Sequence, residues 1–385
     1  MTYEEVLEKV PRSLREKMNY SAELLRKAEK LALAYDPQDG YYLAFSGGKD
    51  SQALYHLAQL VGVKFKAHMN FTSVDPPEVI RFVRHQYPDV HTIPPKDSIY
   101  NIAIQRGILP SMRIRWCCSE FKERAGAGKV TLIGIRRQES ARRAKRNEVE
   151  IDSHKFSGTL EGLDEYREQK LTKKRKKKAE SINITNVTEE RTLGCISGKE
   201  SLLISPLLYW TEDDVWTFLN TLGVPHCSLY DEGWHRIGCI NCPMAPLKQK
   251  LRENERWPHV KRNWIKAIMA IRAGGGIARQ TYLPQWEDRP DKIPDMGSGV
   301  QQQEQRQVYG AERRTAACGG GYYKDLLEKG TCTWGIFHDD AGEREIAENI
   351  YDWWISGKSY KKWYADKFLQ TKFDFGDDSG GKASS

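Results

Sequence analysis

The chain has 385 residues, of which 39% are hydrophobic and 29% are charged, with a formal net charge of +8 at pH 7. This length supports a buried core and more than one domain, and no apolar run approaches the roughly 18 residues of a membrane helix. The positive charge favours polyanionic partners, but an excess of this size does not separate a nucleotide enzyme from a nucleic-acid binder. We therefore expect a soluble globular protein without a membrane partner.

The first ten residues, MTYEEVLEKV, are acidic where a secretory signal needs a basic region followed by an apolar stretch. We therefore expect a cytoplasmic location. The chain has eight cysteines. Because thiols stay reduced in the cytoplasm, clustered cysteines there are better interpreted as metal or redox ligands than as disulfides.

Strand and helix patterns alternate along the first part of the chain. YYLAF at 41–45 predicts a short buried strand, and apolar residues at helical spacing after Ser51 predict a helix. VKFKAHMNF at 63–71 alternates as a strand does, and an apolar stripe beginning near Pro77 predicts the next helix. Further strands are predicted at 90–93 and 129–135, with helical segments near 97–106 and 117–125. This order predicts an α/β fold with a doubly wound, mainly parallel sheet and helices on both faces.

Changes in amino-acid composition along the chain predict its division into segments. The C-terminal region is predicted to be mainly helical. Its aromatic stripe, which includes Tyr351 and Trp354, is expected to be core and to dock on the catalytic domain. The predicted segments are an N-terminal helical segment (1–35), a nucleotide-binding catalytic domain (36–250) with a basic insertion near 165–181 and a cysteine cluster near 227–242, a helical extension (251–282), a linker or long loop (283–310), a small helical module (311–375) and a disordered tail (376–385).

The turn between the first strand and its helix reads FSGGKDSQAL, at 45–54. Its two glycines let the backbone approach a ligand closely, and the helix that follows adds the positive end of its dipole. Ser46 and Ser51 can donate hydroxyl hydrogen bonds, and Lys49 adds a cation. The spacing is not that of a Walker P-loop. The turn is predicted to hold phosphate, the alternative being a tight turn without a ligand.

SGGKDS is the PP-loop signature of the N-type ATP pyrophosphatases, and the chain resembles their phosphoadenosine phosphosulfate (PAPS) reductase-like family over roughly residues 20 to 250. The other matching stretches, in order, are TSVDPPEVIRFV (72–83), RWCCSEFKE (115–123), IGIRRQESARR (133–143), PLLYWTEDDVWTFL (206–219) and SLYDEGWHRIGCINCP (228–243). The resemblance implies ATP and Mg²⁺ bound by Ser46, Gly47, Gly48, Lys49, Asp50, Ser51, Arg136 and Arg137. The residues with a catalytic role would be Ser46, Lys49, Asp50 and Arg136.

The arginines of IGIRRQESARR suit such a site chemically. A guanidinium fork matches phosphate oxygens better than an ammonium does, which favours Arg136 and Arg137 as nucleotide ligands. The alternative for these two residues, and for Arg142, Arg143 and Arg146, is a solvated basic helix face.

The cysteines form a second group of candidate site residues. In GCINC, Cys239 and Cys242 are close enough to bind one metal centre, and Cys227 lies twelve residues before Cys239. Four thiolates complete either a [4Fe–4S] cluster or a tetrahedral zinc site. The family resemblance favours the cluster, with Cys118, Cys227, Cys239 and Cys242 as ligands and Cys117 as the rival for the fourth position. Structural zinc, a redox C-x-x-C pair and uncoordinated thiols are the alternatives.

Six consecutive basic residues interrupt the matched motifs, namely Lys173, Lys174, Arg175, Lys176, Lys177 and Lys178. A block of like charges repels itself and is typical of a mobile loop or an extended helix. Such a block can contact nucleic-acid phosphates, since each neutralised phosphate releases counterions. The alternative is a solvated surface segment.

Two departures separate this chain from the sulfonucleotide reductases of the family. Those enzymes carry Glu-Cys-Gly-hydrophobic-His near the C-terminus, whereas this chain has only CTWGIFH at 332–338, and they tend to carry an altered phosphate loop. The resemblance therefore implies an ATP pyrophosphatase that adenylates a substrate for sulfur transfer or a related modification, releasing AMP and pyrophosphate. It is similar to the transferases of DNA phosphorothioation and RNA thiolation, which implies nucleic acid and a sulfur-donor protein, such as a cysteine desulfurase, as partners.

Two other functions remain open at this point. The first is a reductase of adenylyl sulfate or PAPS that releases sulfite, with Cys332 as the nucleophile. The second is a non-catalytic regulator that binds a nucleotide without turning it over.

Overall fold

The computed structural model describes residues 1–123, 125–151, 156–166, 168–169, 200–273, 342–359, 362–363 and 366–367. The chain divides into two compact units, the first formed by Met1–Lys96 with Trp116–Cys239 and the second by Asp97–Arg115 with Ile240–Ser385. Four predicted features lie outside the described residues: the basic block at 173–178, the linker at 283–310, the stretch CTWGIFH at 332–338 and the tail at 376–385.

In the described part of the chain, seven strands form one sheet in the order β3-β2-β1-β4-β7-β5-β6. Their bounds are β1 Tyr41–Ala44, β2 Phe65–Asn70, β3 His91–Ile93, β4 Val130–Leu132, β5 Val149–Ile151, β6 Phe156–Gly158 and β7 Leu202–Ile204. The first five strands in that order run parallel, whereas β5 is antiparallel to both of its neighbours. The predicted α/β fold with a mainly parallel sheet is confirmed.

Two of the longer helices precede β1, three connect β1, β2, β3 and β4, and the others follow β7. In chain order they are α1 Tyr3–Lys9, α2 Arg12–Tyr35, α3 Lys49–Val61, α4 Pro77–Gln86, α5 Ile99–Arg106, α6 Glu212–Leu222, α7 Leu247–Arg256, α8 Pro258–Arg272 and α9 Glu343–Ser356. The helix predicted near 117–125 is instead a short α-helical turn, Trp116–Cys118, followed by a π-helical turn, Ser119–Glu123. No described helix combines the length and the apolar character needed to cross a bilayer.

Helix α2 forms the hydrophobic core of the first unit together with the sheet. Its buried side chains recur every three or four residues, so they share the face that contacts β1, β4 and α3. Leu25 on this face is fully buried, and its carbonyl oxygen accepts a hydrogen bond of 2.7 Å from the hydroxyl of Tyr41 in β1. Burial and this hydrogen bond fix α2 against the sheet.

The order of the strands creates a crevice at one edge of the sheet. From β1 the chain returns through α3 to β2 on one side, whereas β4 and β7 lie on the other side of β1. Connections that leave neighbouring parallel strands in opposite directions open a crevice beyond the carboxyl ends of those strands. The segments after β1 and β4 therefore face a common space.

The second unit is helical where it is described. Trp264 of α8 is almost fully buried, and its ring lies 4.9 Å from the rings of both Tyr100 in α5 and Trp354 in α9. The indole N–H of Trp354 donates to the carbonyl oxygen of Pro110 at 2.6 Å. Tyr351 of α9 is fully buried and packs beside Trp354, so these two residues belong to the core of this unit. The predicted docking of a separate C-terminal module stays a prediction.

The core packing of α2 gives a matched stability prediction. Replacing Leu25 with Ala leaves a cavity against the sheet and should lower the free energy of unfolding by about 2–5 kcal/mol. Replacing the exposed Lys30 on the same helix with Ala should change it by less than about 0.5 kcal/mol. Urea unfolding of the two full-length variants tests this, and equal losses of stability would contradict the assignment of the buried face.

Candidate active site

The segment between β1 and α3 forms a tight loop at the carboxyl end of the sheet. Gly47 has a φ of +72°, a backbone conformation that residues other than glycine rarely adopt. Gly48 is the N-cap residue of α3 and has no side chain with which to cap the helix itself. The first turn of α3 therefore presents backbone N–H groups and the positive end of the helix dipole to the crevice.

The two glycines have different physical reasons to be glycine. A Cβ atom at Gly47 would lie 2.7 Å from a methyl carbon of Val83 and 2.8 Å from one of Val79, both in α4. A Cβ atom at Gly48 would lie 3.5 Å from the hydroxyl oxygen of Tyr230, an ordinary contact distance. Gly47 therefore allows α4 to pack against the loop, whereas Gly48 keeps space open above the helix end.

The two serines of the loop hold its shape through one another. The Ser46 N–H donates to the hydroxyl oxygen of Ser51 at 3.2 Å, and the two hydroxyl oxygens are also 3.2 Å apart. The Ser51 hydroxyl donates to the carbonyl oxygen of Gly48 at 2.8 Å. These bonds close the loop into a compact turn around the helix end.

A pocket of about 390 Å³ opens above this turn. It is lined by residues that follow β1, by residues that follow β4, by Glu212 at the start of α6 and by the segment around Tyr230 and His235. Of the residues predicted to bind the nucleotide, the pocket lining includes Ser46, Gly48, Lys49, Asp50, Ser51 and Arg136. Volumes in this range accommodate small ligands.

Lys49 is buried beneath the pocket. Its ammonium nitrogen lies 2.9 Å from the carbonyl oxygen of His235 and 3.2 Å from Oε1 of Glu212. A buried ammonium needs such partners, because an unpaired charge away from water is costly. Lys49 therefore joins three separate segments of the chain at the base of the pocket, in addition to placing a cation there.

Asp50 and Arg136 form an ion pair across the crevice, with Nε of Arg136 2.5 Å from Oδ1 of Asp50. The Arg136 side chain is almost fully buried, and its Nη1 also donates to Oε1 of Gln138 at 3.1 Å. Asp50 lies in the first turn of α3 and Arg136 follows β4, so this pair ties the two neighbouring strand ends together. Both residues were predicted from the sequence, but their pairing was not.

The neighbouring arginines differ in what they contact. Arg137 does not line the pocket: its guanidinium donates to the carbonyl oxygen of Arg146 and lies 4.8 Å from the ring centroid of Tyr209. Arg143 does line the pocket, where it pairs with Glu139. Burial is the main cause that lowers the pKa of Arg143.

Arg236 also lines the pocket, and in the described part of the chain it makes no ion pair. Its charge is close enough to Arg143 to contribute to the lowered pKa of that residue. The pocket thus has a pair of neighbouring guanidinium groups on one side, of which Arg143 has a carboxylate partner.

The predicted cysteine ligands are distributed between the two units. In the first unit, Sγ of Cys239 lies 3.3 Å from the ammonium of Lys122 and 3.5 Å from the hydroxyl of Thr72. The charge of Cys239 is the largest cause that raises the pKa of Lys122, and Cys118 contributes in the same direction. Cys118 and Cys239 therefore share one cation as a neighbour.

The remaining candidate thiols are less clearly grouped. Cys227 is buried, and this burial raises its pKa, whereas Cys117 is partly buried next to Cys118. Cys242 belongs to the second unit. Among the described residues, no group of three or more His, Cys, Asp or Glu side chains is arranged to hold a metal ion. The side chains as placed do not form a ready metal site, and the ligand set stays a prediction.

The sequence interpretation missed several pocket residues: Gln138, Glu139, Glu212, Tyr230, His235 and Arg236. Tyr230, His235 and Arg236 lie within the stretch SLYDEGWHRIGCINCP, and Glu212 lies within PLLYWTEDDVWTFL. Both stretches resemble the family, so the sequence did mark them as candidate parts of the site. The first stretch was interpreted only through its cysteines, as metal ligands.

A comparison with known protein families gives one match over the residues that form the sheet and the pocket. A profile of the phosphoadenosine phosphosulfate reductase domain fits residues 40–245, which is more than half of the chain. The chain belongs to this family. The PAPS reductase domain therefore includes the whole sheet and every segment that lines the pocket.

Individual relatives of this PAPS reductase domain protein are more distant. The uncharacterized protein MJ0973 of Methanocaldococcus jannaschii is 24% identical over 269 residues, which cover 68% of this chain and 56% of that protein. An adenosine 5'-phosphosulfate reductase of Staphylococcus haemolyticus is 34% identical over 58 residues, which cover 15% of this chain and 24% of that enzyme. The chain thus spans just over half of the first relative and about a quarter of the second.

Solved structures show a weaker likeness. The FMN adenylyltransferase of Candida glabrata aligns with 62% of this chain and 67% of its own, at 15% identity and a TM-score of 0.36. The U34-tRNA thiolase NcsA of Methanococcus maripaludis, solved with its [4Fe-4S] cluster, aligns with 67% of this chain and 77% of its own, at 13% identity and a TM-score of 0.26.

The contrast between the two loop glycines leads to a paired prediction. Gly47→Ala forces a Cβ into Val79 and Val83 at a positive φ, so it should lower the free energy of unfolding by more than about 1 kcal/mol. Gly48→Ala fits sterically, so its unfolding curve should match that of the unchanged protein, but its methyl group should abolish binding of inorganic pyrophosphate. Urea unfolding and calorimetry measure the two effects. Normal stability of Gly47→Ala would contradict the packing argument.

Proposed function

We propose that this chain is an ATP pyrophosphatase that adenylates an acceptor for sulfur transfer or a related modification, with nucleic acid as the acceptor. The observation that carries the proposal is the glycine turn at the N-terminus of α3, which opens into a pocket lined by Arg136, Arg143 and Arg236. Backbone N–H groups at a helix end together with guanidinium groups match the oxygens of a polyphosphate.

The charges of the pocket support a polyanionic ligand. Its lining has four cations, Lys49, Arg136, Arg143 and Arg236, against three carboxylates, Asp50, Glu139 and Glu212. Three of the cations are paired with these carboxylates. A ligand with negative charge would therefore meet one excess positive charge, together with the dipole of α3.

In the proposed reaction an oxygen of the acceptor attacks the α-phosphorus of ATP, and the bond to the β-phosphate oxygen breaks. Pyrophosphate leaves with the bonding electron pair, and the backbone N–H groups of the turn and the arginines stabilise its charge. A sulfur nucleophile then displaces AMP from the adenylated acceptor. Because the protein supplies positioning and charge rather than a covalent intermediate, catalysis depends on the geometry of the pocket.

The acidic residues of the pocket are suited to Mg²⁺. This ion is usually held by one or two carboxylates and the phosphates of the substrate. The carboxylates of Asp50 and Glu212 both line the pocket and provide hard oxygen ligands. When bound, Mg²⁺ would neutralise charge on the phosphates, while the ion pair with Arg136 keeps Asp50 in its orientation.

The nucleic-acid acceptor is supported by charge alone. The chain has a net charge of +8, and its basic block, Lys173 to Lys178, offers phosphate contacts. A sulfur-donor protein is the partner that sulfur transfer requires. The alternative function, reduction of adenylyl sulfate or PAPS, has as its candidate nucleophile Cys332, which lies outside the described residues.

The proposal includes a [4Fe–4S] cluster bound by Cys118, Cys227, Cys239 and Cys242, with Cys117 as the rival ligand and structural zinc as the alternative metal. Thiolates are the ligands that both centres require. Since no three of these side chains converge in the described residues, no step of the reaction is assigned to the cluster.

The proposed reaction predicts a specific set of products. Anaerobically purified protein incubated with ATP, Mg²⁺, inorganic sulfide as the sulfur nucleophile and either RNA or DNA should release AMP and pyrophosphate in equal amounts. Chromatography of the nucleotides distinguishes AMP from ADP. Release of ADP, or release of sulfite from adenylyl sulfate or PAPS with ATP left intact, would overturn the proposal.

A matched pair of arginine variants, with ATP affinity measured by calorimetry, connects nucleotide binding to the pocket. Arg143→Gln removes a guanidinium that lines the pocket and should weaken ATP binding about ten-fold or more, as expected for loss of a charged hydrogen bond. Arg142→Gln removes the same charge from an exposed neighbour that does not line the pocket, and should leave binding within about two-fold. Equal effects would mean that only net charge matters.

The cysteine assignment is tested by metal analysis. Protein purified without oxygen should contain iron and sulfide and should absorb broadly in the visible range, as iron–sulfur proteins do. Cys239→Ser should lose both the iron and the absorption, because a hydroxyl is a poor substitute for a thiolate ligand. Stoichiometric zinc without iron would establish the alternative site.

A further inference from the structure

The hydroxyl of Tyr230 lies inside the glycine turn. Its oxygen accepts a hydrogen bond of 2.8 Å from the backbone N–H of Lys49, the first residue of α3. It also lies where a Cβ at Gly48 would make contact, at 3.5 Å. Tyr230 is far from the turn in sequence, and the fold brings its phenol group to the position where the helix end meets the pocket.

The ring of Tyr230 is held in place from several directions. Trp216 packs against it edge to face, with the ring centroids 4.9 Å apart, and the ammonium of Lys49 lies 5.7 Å from the ring centroid. Its backbone N–H donates to the carbonyl oxygen of Cys227, and its carbonyl oxygen accepts from the N–H of Gly233, each at 3.0 Å. A ring fixed in this way positions its hydroxyl group rather than swinging aside when a ligand enters.

The hydroxyl of Tyr230 can donate one hydrogen bond. A phenol oxygen can accept one hydrogen bond and donate another, and here it already accepts from Lys49. No residue in the described chain accepts the proton of this hydroxyl. Since the phenol lines the pocket, the proton is available to a ligand there, and the helix N–H behind the oxygen polarises the O–H bond.

We propose that Tyr230 is a phosphate-binding residue of the pocket, whose hydroxyl donates a hydrogen bond to a phosphate oxygen of the bound nucleotide or pyrophosphate. This inference rests on the proposed function, because it needs a ligand with phosphate in the pocket. In effect the phenol extends the end of α3 towards the ligand. A phenol is uncharged, so Tyr230 adds an oriented hydrogen-bond donor without adding positive charge. The guanidinium groups on the other side of the pocket supply the charge.

The test compares three ligands with the full-length protein and Tyr230→Phe. Calorimetry with inorganic pyrophosphate, ATP and adenosine separates binding of the phosphates from binding of the base and sugar. Tyr230→Phe keeps the ring and should weaken binding of pyrophosphate and ATP about ten-fold, since one hydrogen bond to a charged group is lost. Adenosine affinity should not change, which shows that the pocket is intact. Tyr209→Phe, on an exposed tyrosine outside the turn, is the matched control.

The outcomes are distinct. If Tyr230→Phe binds pyrophosphate and ATP as tightly as the unchanged protein, or more tightly, the hydroxyl does not donate a stabilising hydrogen bond to phosphate, and the inference is wrong while the proposed function stands. If adenosine binding falls together with pyrophosphate binding, Tyr230 only supports the pocket wall, which also overturns the inference. A protein that binds neither ATP nor pyrophosphate before any substitution overturns the proposed function and this inference with it.

Discussion

The parallel pairing of β1 with β4 is the constraint on which the candidate site depends. These strands are neighbours in space but not in sequence, and the chain leaves them in opposite directions. Backbone segments that diverge in this way cannot fill the space between them, so a crevice is built into the topology. The ion pair between Asp50 and Arg136 joins the two sides of the crevice and keeps the strand ends in register.

The positively charged side chains of this crevice differ in how deeply they are buried and in whether they have an acidic partner. Lys49 and Arg136 are buried and paired, so they shape the base of the pocket and hold its walls. Arg236 is exposed at the pocket and makes no ion pair among the described residues, so its charge is available to a ligand. A buried cation that is already compensated contributes less net attraction to an incoming anion than an uncompensated one does.

Much of the fold was predictable because its signals are local. The strand near 41–45, the helix after Ser51 and the glycine turn between them follow from hydrophobic pattern and turn chemistry over a dozen residues. The antiparallel pair of β5 and β6 was not predicted, since each strand has only three residues, too few for an alternating pattern to stand out. Arg137 was expected beside Arg136, but a 3-10 turn begins at Arg137 and its guanidinium contacts the carbonyl oxygen of Arg146, whereas Arg143 lines the pocket.

The residues that sequence could not assign are those whose partners are distant along the chain. Tyr230 contacts the backbone N–H of Lys49, and the carbonyl oxygen of His235 accepts from the Lys49 ammonium, across about 180 residues. A backbone carbonyl carries no sequence signal at all, because every residue has one. The buried ammonium nevertheless requires that carbonyl and Glu212, so we expect the glycine turn to adopt this form only when both distant segments have folded against it. The SGGKDS motif is thus one part of a site that three segments of the chain complete together.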